Sequence, residues 1–385
     1  MTASPAPPRS GITGDSCRMA IVHDWLTGMR GGEKVLDLLC RRYPHADVFT
    51  MVHVPGSVSP AIERHHPVRS PVGHLPGVGR YYRHCLPLFP AAVEHFDLDG
   101  YELVISTSHC AVKSAIVPRT ARHLCYCFTP MRYAWDQFEA YFGEARLGLM
   151  SRAMKATLGH LARWDARTST RPDRYLSISQ YVADRIGRYY NRRSVIVYPP
   201  VDTAFFTPGS DAPEPFALVV SALVPYKRVD LAIQACESAG VPLFVVGQGP
   251  ERSRLEQLGG RTTTFLGPLP DDDVRSWYRR TAAVLLPGEE DFGLVPVEAQ
   301  ACGRPVVALA RGGALETVVH DVTGTLVTEP TVTAFSTAIR DTVGRRYDAG
   351  RIRRHAETFS SDSFLTRFGQ QVDDLLQAPA EAVRW

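Results

Sequence analysis

The run Glu290-Asp-Phe-Gly-Leu-Val-Pro-Val-Glu298-Ala-Gln-Ala-Cys-Gly-Arg-Pro-Val-Val-Ala308 decides how this chain is read. Phe292-Gly293-Leu294 reads as a turn leading into a short helix that Gly303 ends, and Pro305-Val306-Val307 as the start of a buried strand. Turn, helix and apolar strand in succession are the repeat of a parallel sheet with crossover helices. The start of such a helix leaves N–H groups unpaired and carries a partial positive charge, so it seats a phosphate readily. Glu290 stands just before that start and Glu298 a turn or two inside the helix. They flank the seat, one within reach of a sugar and the other of a ribose.

The same alternation extends in both directions. Strands are expected at Met19–His23, Val48–Val52, Leu103–Ser106, His123–Phe128, Arg174–Ile178 and Val195–Val197. Tyr198-Pro-Pro-Val-Asp202 and the proline-rich stretch to Pro215 interrupt the periodicity and mark a boundary. The series restarts at Phe216–Ala222, Leu243–Val246, Thr263–Leu266, Ala283–Leu286 and Val306–Ala308. The fold class is therefore α/β, two Rossmann-like domains with parallel sheets facing across a cleft. The expected division is a disordered tail at 1–17, an N-terminal Rossmann-like domain at 18–200 and a C-terminal one at 201–360. A final helix at 361–385 is expected to return to the first domain. Ligands of such sheets bind beyond the carboxyl ends of the strands.

Composition sets outer limits. At 385 residues the chain exceeds one typical domain. Apolar residues make up 44% and charged residues 22%, which is ordinary for a globular chain with full cores. A net charge of +3, from 43 basic and 40 acidic residues, calls for no nucleic-acid partner. No apolar stretch approaches the ~18 residues of a membrane span, and Met1–Cys17 lacks the apolar core of an export signal. The eight cysteines are scattered and read as reduced, buried thiols of a cytoplasmic protein. Cys125 and Cys127 find no second Cys or His pair to complete a zinc pattern.

Further motifs fall at strand ends. Gly31-Gly32-Glu33 opens a helix after the first strand, where its backbone approaches a diphosphate or simply makes a tight turn. Lys227 follows the first strand of the second half, where an ammonium can neutralise a leaving diphosphate; the bland alternative is a solvated lysine. Gly247 and Gly249 close a strand, cradling part of a nucleotide or turning the chain. Asp271-Asp-Asp273 is read as capping a helix rather than holding a metal. His109, at a strand's carboxyl end, is a candidate substrate contact. Leu147–Trp164, apolar on one face and basic off it, packs in the core or rests on an anionic membrane, and core packing is the commoner outcome. Gly77–Phe96, mixing aromatics, Arg and His, is a second candidate patch.

On these motifs the chain resembles the retaining, GT-B-fold glycosyltransferases of family 4 ("group 1"), from Met19 to about Leu376. The carriers are Glu290-x7-Glu298, Gly303-x-Pro305, Gly312-Gly313-x-x-Glu316, Pro225-Tyr-Lys-Arg228, Gly247-x-Gly249 and Pro200-Val-Asp202. Cys125-Tyr-Cys-Phe-Thr-Pro-Met-Arg-Tyr-Ala-Trp135 is similar to a subgroup of bacterial surface-polysaccharide enzymes, many of them mannosyltransferases. The resemblance implies metal-independent, retaining transfer of a hexose, with mannose from GDP-mannose as the donor and no cofactor. The acceptor is a glycan or a polyprenyl-linked one, reached from the cytoplasm with peripheral contact at the inner face of the membrane. By the same resemblance, Glu298 binds the ribose and Glu290 the donor sugar. Lys227 with the backbone at Phe292, Gly293 and Leu294 holds the diphosphate, and Gly31 and Gly32 close over it. Gly247, Gly249 and the backbone near Leu269 complete the donor set. Glu290, Lys227 and His109 are the catalytic candidates, and His109, Phe128 and Arg132 the acceptor-side ones.

Two positions depart from the family's pattern. Ala222 stands where an Arg is frequent, which leaves Arg228 to supply a diphosphate contact. Phe128 stands where many members carry His, which leaves His109 or Arg132 to reach the sugar. Two rival readings follow: a nucleotide-sugar epimerase on the same fold, and a degenerate member that binds nucleotide sugar or a partner transferase without turnover.

Overall fold

The computed structural model describes residue 14 and residues 17–131 and 149–379, without the side chains of 149–156. Two compact units divide the chain, Met1–Tyr198 with Leu365–Trp385, and Pro199–Phe364. Each is built on one parallel sheet.

The first sheet comprises β1 (Met19–Leu26), β2 (Asp47–His53), β3 (Val68–Arg69), β4 (Leu103–Ser108), β5 (Arg122–Cys127), β6 (Arg174–Ser177) and β7 (Val195–Ile196). Its order is β3-β2-β1-β4-β5-β6-β7. In β1 every residue is buried, as expected of a central strand covered by helices on both faces. Its register sets Ile21 beside Ile105 and His23 beside Thr107. Around it Val22, Trp25, Phe89, Val104 and Leu161 form part of one apolar core. The final helix, Ser361–Gln377, belongs to this unit from Leu365 onward. There Phe368 stacks edge-on against Tyr126, and the Arg174 guanidinium donates to Gln371 O and Oε1 at 3.3 and 3.2 Å.

The second sheet comprises β8 (Glu214–Val220), β9 (Leu243–Val246), β10 (Thr263–Gly267), β11 (Thr281–Leu286), β12 (Val306–Leu309) and β13 (Gly324–Val327), in the order β10-β9-β8-β11-β12-β13. Ala217, Val219, Ile233, Leu285, Val307 and Phe335 are among the residues of its own core.

In both sheets the strand order reverses direction at one place, between β1 and β4 and between β8 and β11. The crossovers on either side of such a point leave in opposite directions and open a crevice at the carboxyl ends. The loops that leave these four ends are 27–30, 109–111, 221–228 and 287–293. Most of the candidate residues lie on them or on the helices they feed. The structure adds two strands to those expected, the two-residue edge β3 and the half-buried β13.

Candidate functional site

In the second unit, β8 ends in a turn at Pro225–Lys227, and Arg228 takes a left-handed backbone (φ 52°) before the Val229–Ala239 helix. β11 ends in the loop that carries Glu290, and Gly293 (φ 90°) starts the Leu294–Ala301 helix. These two neighbouring loops bring the Lys227 ammonium onto the Glu290 carboxylate as a mostly buried ion pair. The Glu290 backbone is held from its other side, where Gly313 N donates to its carbonyl at 2.8 Å. A side chain at Gly313 would collide with the Phe292 backbone, so only glycine lets the two loops touch. Inside the helix, Glu298 Oε2 accepts a hydrogen bond from the Tyr278 hydroxyl at 2.9 Å. Burial, then the Glu298 charge, pushes the Tyr278 phenol above its usual range and keeps it a donor.

The other donor-side candidates have varied placements. Phe292 is buried and stacks edge-on with Phe359, so its side chain serves the core and only its backbone faces the helix start. Leu294 is half-buried at the first turn, and Leu269 half-buried between β10 and the Asp271–Arg280 helix. Gly247 and Gly249 lie against the backbone oxygens of Ser221 and Leu223, where no side chain fits. The fold needs both glycines to lock the loop after β9 to the loop that carries Lys227. Arg228 turns to Asp230, 3.2 Å away. Ala222 is exposed. The helix expected to be capped by Asp271–Asp273 is instead capped by Pro270, with no side-chain bond. The three carboxylates occupy its first turn, where they still complement the helix dipole. Among the described residues no cluster of three or more His, Cys, Asp or Glu is placed to hold a metal ion.

In the first unit, the ends of β1, β4 and β5 bring His109, Phe128 and the Gly31-Gly32 helix start together. A side chain at Gly32 would meet Phe128 at 3.4 Å and His23 at 3.5 Å. His109 Nδ1 lies 3.2 Å from Asp24 Oδ2, and its ring meets Trp25 edge-on at 4.4 Å. Arg132 lies outside the described residues.

Sequence reading gave Asp24 and Tyr278 no role in the site and named Glu33 only as part of the motif that opens a helix. Asp24 is fully buried, and its carboxylate accepts from the backbone N–H groups of His109, Cys110, Ala111 and Val112 at 2.7–3.1 Å. It thereby fixes the turn that carries His109 as well as the imidazole itself. Its only sequence signal is its place after His23 at a strand end. Glu33 Oε2 accepts from Arg30 N at 3.1 Å, closing the helix start. Burial raises the Glu33 pKa, opposed mainly by the His109 charge, so the two side chains sense one another. Burial lowers the pKa of His23 to about 3, aided by His109 and opposed by Asp24.

Two successive units, each built on one parallel sheet with these loops at its carboxyl ends, define the class of GT-B folds, and solved structures agree. The chain aligns with Anabaena HepE in complex with UDP at a TM-score of 0.69 and 18% identity, covering 93% of this chain and 100% of that one. Against the sucrose-phosphate synthase of Thermosynechococcus elongatus the TM-score is 0.65 at 20% identity, covering 92% and 98%. Within that class, residues 201–357 match the model of the family Glycosyl transferases group 1. A D-inositol 3-phosphate glycosyltransferase of Mycobacteroides abscessus is 33% identical over 246 residues, 55% of each chain. The corresponding protein of Mycobacterium tuberculosis is 34% identical over 215 residues, 46% of this chain and 44% of its own. The chain thus spans about half the length of the curated relatives it matches.

Proposed function

We propose that the chain is a retaining glycosyltransferase that moves a hexose from a nucleoside diphosphate sugar to a glycan or lipid-linked acceptor. The observation that carries this reading is the meeting of Lys227 and Glu290 beside the Gly293 helix start, at the point where the strand order of the second sheet reverses. Departure of a nucleoside diphosphate develops negative charge on its terminal phosphate. Preorganised N–H donors and an ammonium stabilise that charge without solvent reorganisation. In the resting protein Lys227 is neutralised by Glu290. An arriving diphosphate competes for the ammonium and releases the carboxylate to accept from a sugar hydroxyl. Glu298, held by Tyr278, takes the ribose. On the acceptor side His109, held by Asp24, contacts the sugar, with Phe128 as its apolar wall. The family match over 201–357 favours transfer over epimerisation.

The donor we assign is GDP-mannose, on the resemblance of the 125–135 segment to surface-polysaccharide enzymes. A UDP-hexose is the second reading, favoured by HepE, whose solved complexes hold UDP and UDP-glucose. Titration calorimetry of the whole chain with GDP-mannose and UDP-glucose decides between them. GDP-mannose is expected to bind more tightly and, with an acceptor present, to release GDP. Preference for UDP-glucose replaces the donor assignment. Binding of neither sinks the transferase reading, and binding without turnover on any acceptor leaves a nucleotide-sugar-binding protein.

A further inference from the structure

Arg252 is the first residue of the Arg252–Leu258 helix, which the 247–251 loop joins to the carboxyl end of β9. That loop is tied down on both sides. Toward β8, Leu223 N donates to Gln248 O at 2.9 Å and Glu251 N to Leu223 O at 3.1 Å. Toward β10, Gly247 N donates to Gly267 O at 2.8 Å. Arg252 N itself donates to Gly249 O at 3.1 Å. The Arg252 backbone is thus fixed between the loop that carries Lys227 and the turn at 267–269.

The side chain lies against that turn. Its Nη1 is 3.5 Å from the point where a side chain at Gly267 would begin. The guanidinium carbon sits 5.8 Å from the centre of the Phe265 ring, and Nε donates to Glu256 Oε1 at 2.7 Å. Ring and carboxylate together hold the planar group in one orientation. Its outer edge, formed by Nη1 and Nη2, has no hydrogen-bond partner among the described residues. The side chain is only 35% exposed, so this open edge is not simply a solvated tip. Arg254, two residues on, turns instead to Glu251 at 2.6 Å and is 54% exposed.

We infer that Arg252 reads the base of the donor nucleotide and selects guanine. β10 lies two strand spacings, roughly 10 Å, from β8. With the diphosphate beside Lys227 and the ribose on Glu298, that step brings the base to the turn at 267–269. The helix that holds Tyr278 against Glu298 starts at Asp271, directly after this turn. An Nη1–Nη2 edge donates two parallel hydrogen bonds in a fixed fork. Of guanine and uracil, only guanine meets it with two adjacent acceptors, O6 and N7. Uracil alternates O4, N3–H and O2, so the same edge would set a donor against a donor. The role of Arg252 rests on the proposed GDP-sugar donor and deepens it, because it names the side chain that tells the two bases apart.

Titration calorimetry of the whole chain with GDP, UDP and 7-deaza-GDP, in which a C–H replaces N7, tests the assignment. The parent chain is expected to bind GDP more tightly than UDP, and 7-deaza-GDP about tenfold less tightly than GDP. Arg252→Met keeps the length of the side chain and removes the fork. It is expected to weaken GDP by about tenfold to a hundredfold, to leave UDP unchanged and to erase the difference between GDP and 7-deaza-GDP. Arg254→Met removes the same charge from the same helix and is expected to change none of these affinities. An unchanged thermal unfolding midpoint certifies each variant, and Arg252→Gln serves if the methionine perturbs folding. Equal losses for GDP and UDP in Arg252→Met, or a persisting preference for GDP over 7-deaza-GDP, overturn the role of Arg252 while the donor assignment stands. Tighter binding of UDP than of GDP by the parent chain overturns the donor assignment and the guanine reading with it. Binding of neither nucleotide overturns the transferase reading, so the three failures are told apart.

Discussion

One hydrogen bond links Tyr278, a core residue, to Glu298, the carboxylate we assign to the ribose. The carboxylate sits inside the Leu294–Ala301 helix, and the phenol on the Asp271–Arg280 helix reaches its Oε2 at 2.9 Å. Tyr278 is fully buried, so its position is fixed by packing rather than by the carboxylate it meets. Glu298→Ala is expected to weaken donor binding by about 1–3 kcal/mol, the value of a charge-assisted bond to a ribose hydroxyl. Tyr278→Phe keeps the charge and removes only the orienting bond, and its expected cost is smaller, about 0.5–1.5 kcal/mol. Calorimetry on both variants measures the pair. Unchanged affinity in Glu298→Ala refutes the ribose assignment, and a larger loss in Tyr278→Phe than in Glu298→Ala refutes the orienting role.

At the level of elements, β1, β4 and β5 are joined by polar side chains as well as by their ladder. His23 Nδ1 meets Thr107 Oγ1 at 2.8 Å, and His123 Nε2 meets Ser106 Oγ at 2.8 Å. Burial lowers both imidazoles to about 3, helped by His109 for His23 and by Lys113 and Arg171 for His123. Both groups are therefore neutral in the folded sheet between pH about 3 and 6.5, where the unfolded chain protonates them. The stability they permit is fully present above the unfolded pKa of 6.5 and is lost as pH falls from there toward about 3. Within that window each histidine steepens the loss by about 1.4 kcal/mol per pH unit. Urea unfolding of His123→Gln, compared with the parent between neutral pH and about pH 5, is expected to show a slope shallower by one such increment. Equal slopes would mean that His123 is not buried neutral. The strands themselves were legible because β-branched, apolar runs of four to eight residues need no partner to be recognised. Their ends were read within about two residues, except at β1, which runs on through Asp24-Trp25-Leu26. β3 escaped because two exposed residues carry no period, and β13 because it opens on Gly324 and is only half-buried.

Legibility of the site followed the same rule of locality. Lys227, Glu290 and Gly293 were readable as loop residues at strand ends, whereas the ion pair between Lys227 and Glu290 depends on β8 lying beside β11. Asp24 and the four N–H groups it holds are some 85 residues apart, and no local pattern announces them. On the scale of the molecule this non-locality has a testable form in the final helix. The chain leaves the first unit at Tyr198, builds the second, and re-enters the first at Leu365. There Phe368, Val372, Leu375 and Leu376 are buried, and the Arg122 guanidinium donates to Ala378 O at 2.7 Å. Burying four such side chains contributes about 6–12 kcal/mol, comparable to the ~5–15 kcal/mol that hold a whole domain folded. Ending the chain after Phe364 is therefore expected to unfold the first unit and leave the second intact, although the deleted residues follow the second in sequence. Limited proteolysis should then degrade residues before Tyr198 and spare a fragment beginning near Pro199. That fragment should retain whatever donor affinity the loops of β8 and β11 supply by themselves. Protection of the first unit in the shortened chain would show that its sheet folds without the returning helix.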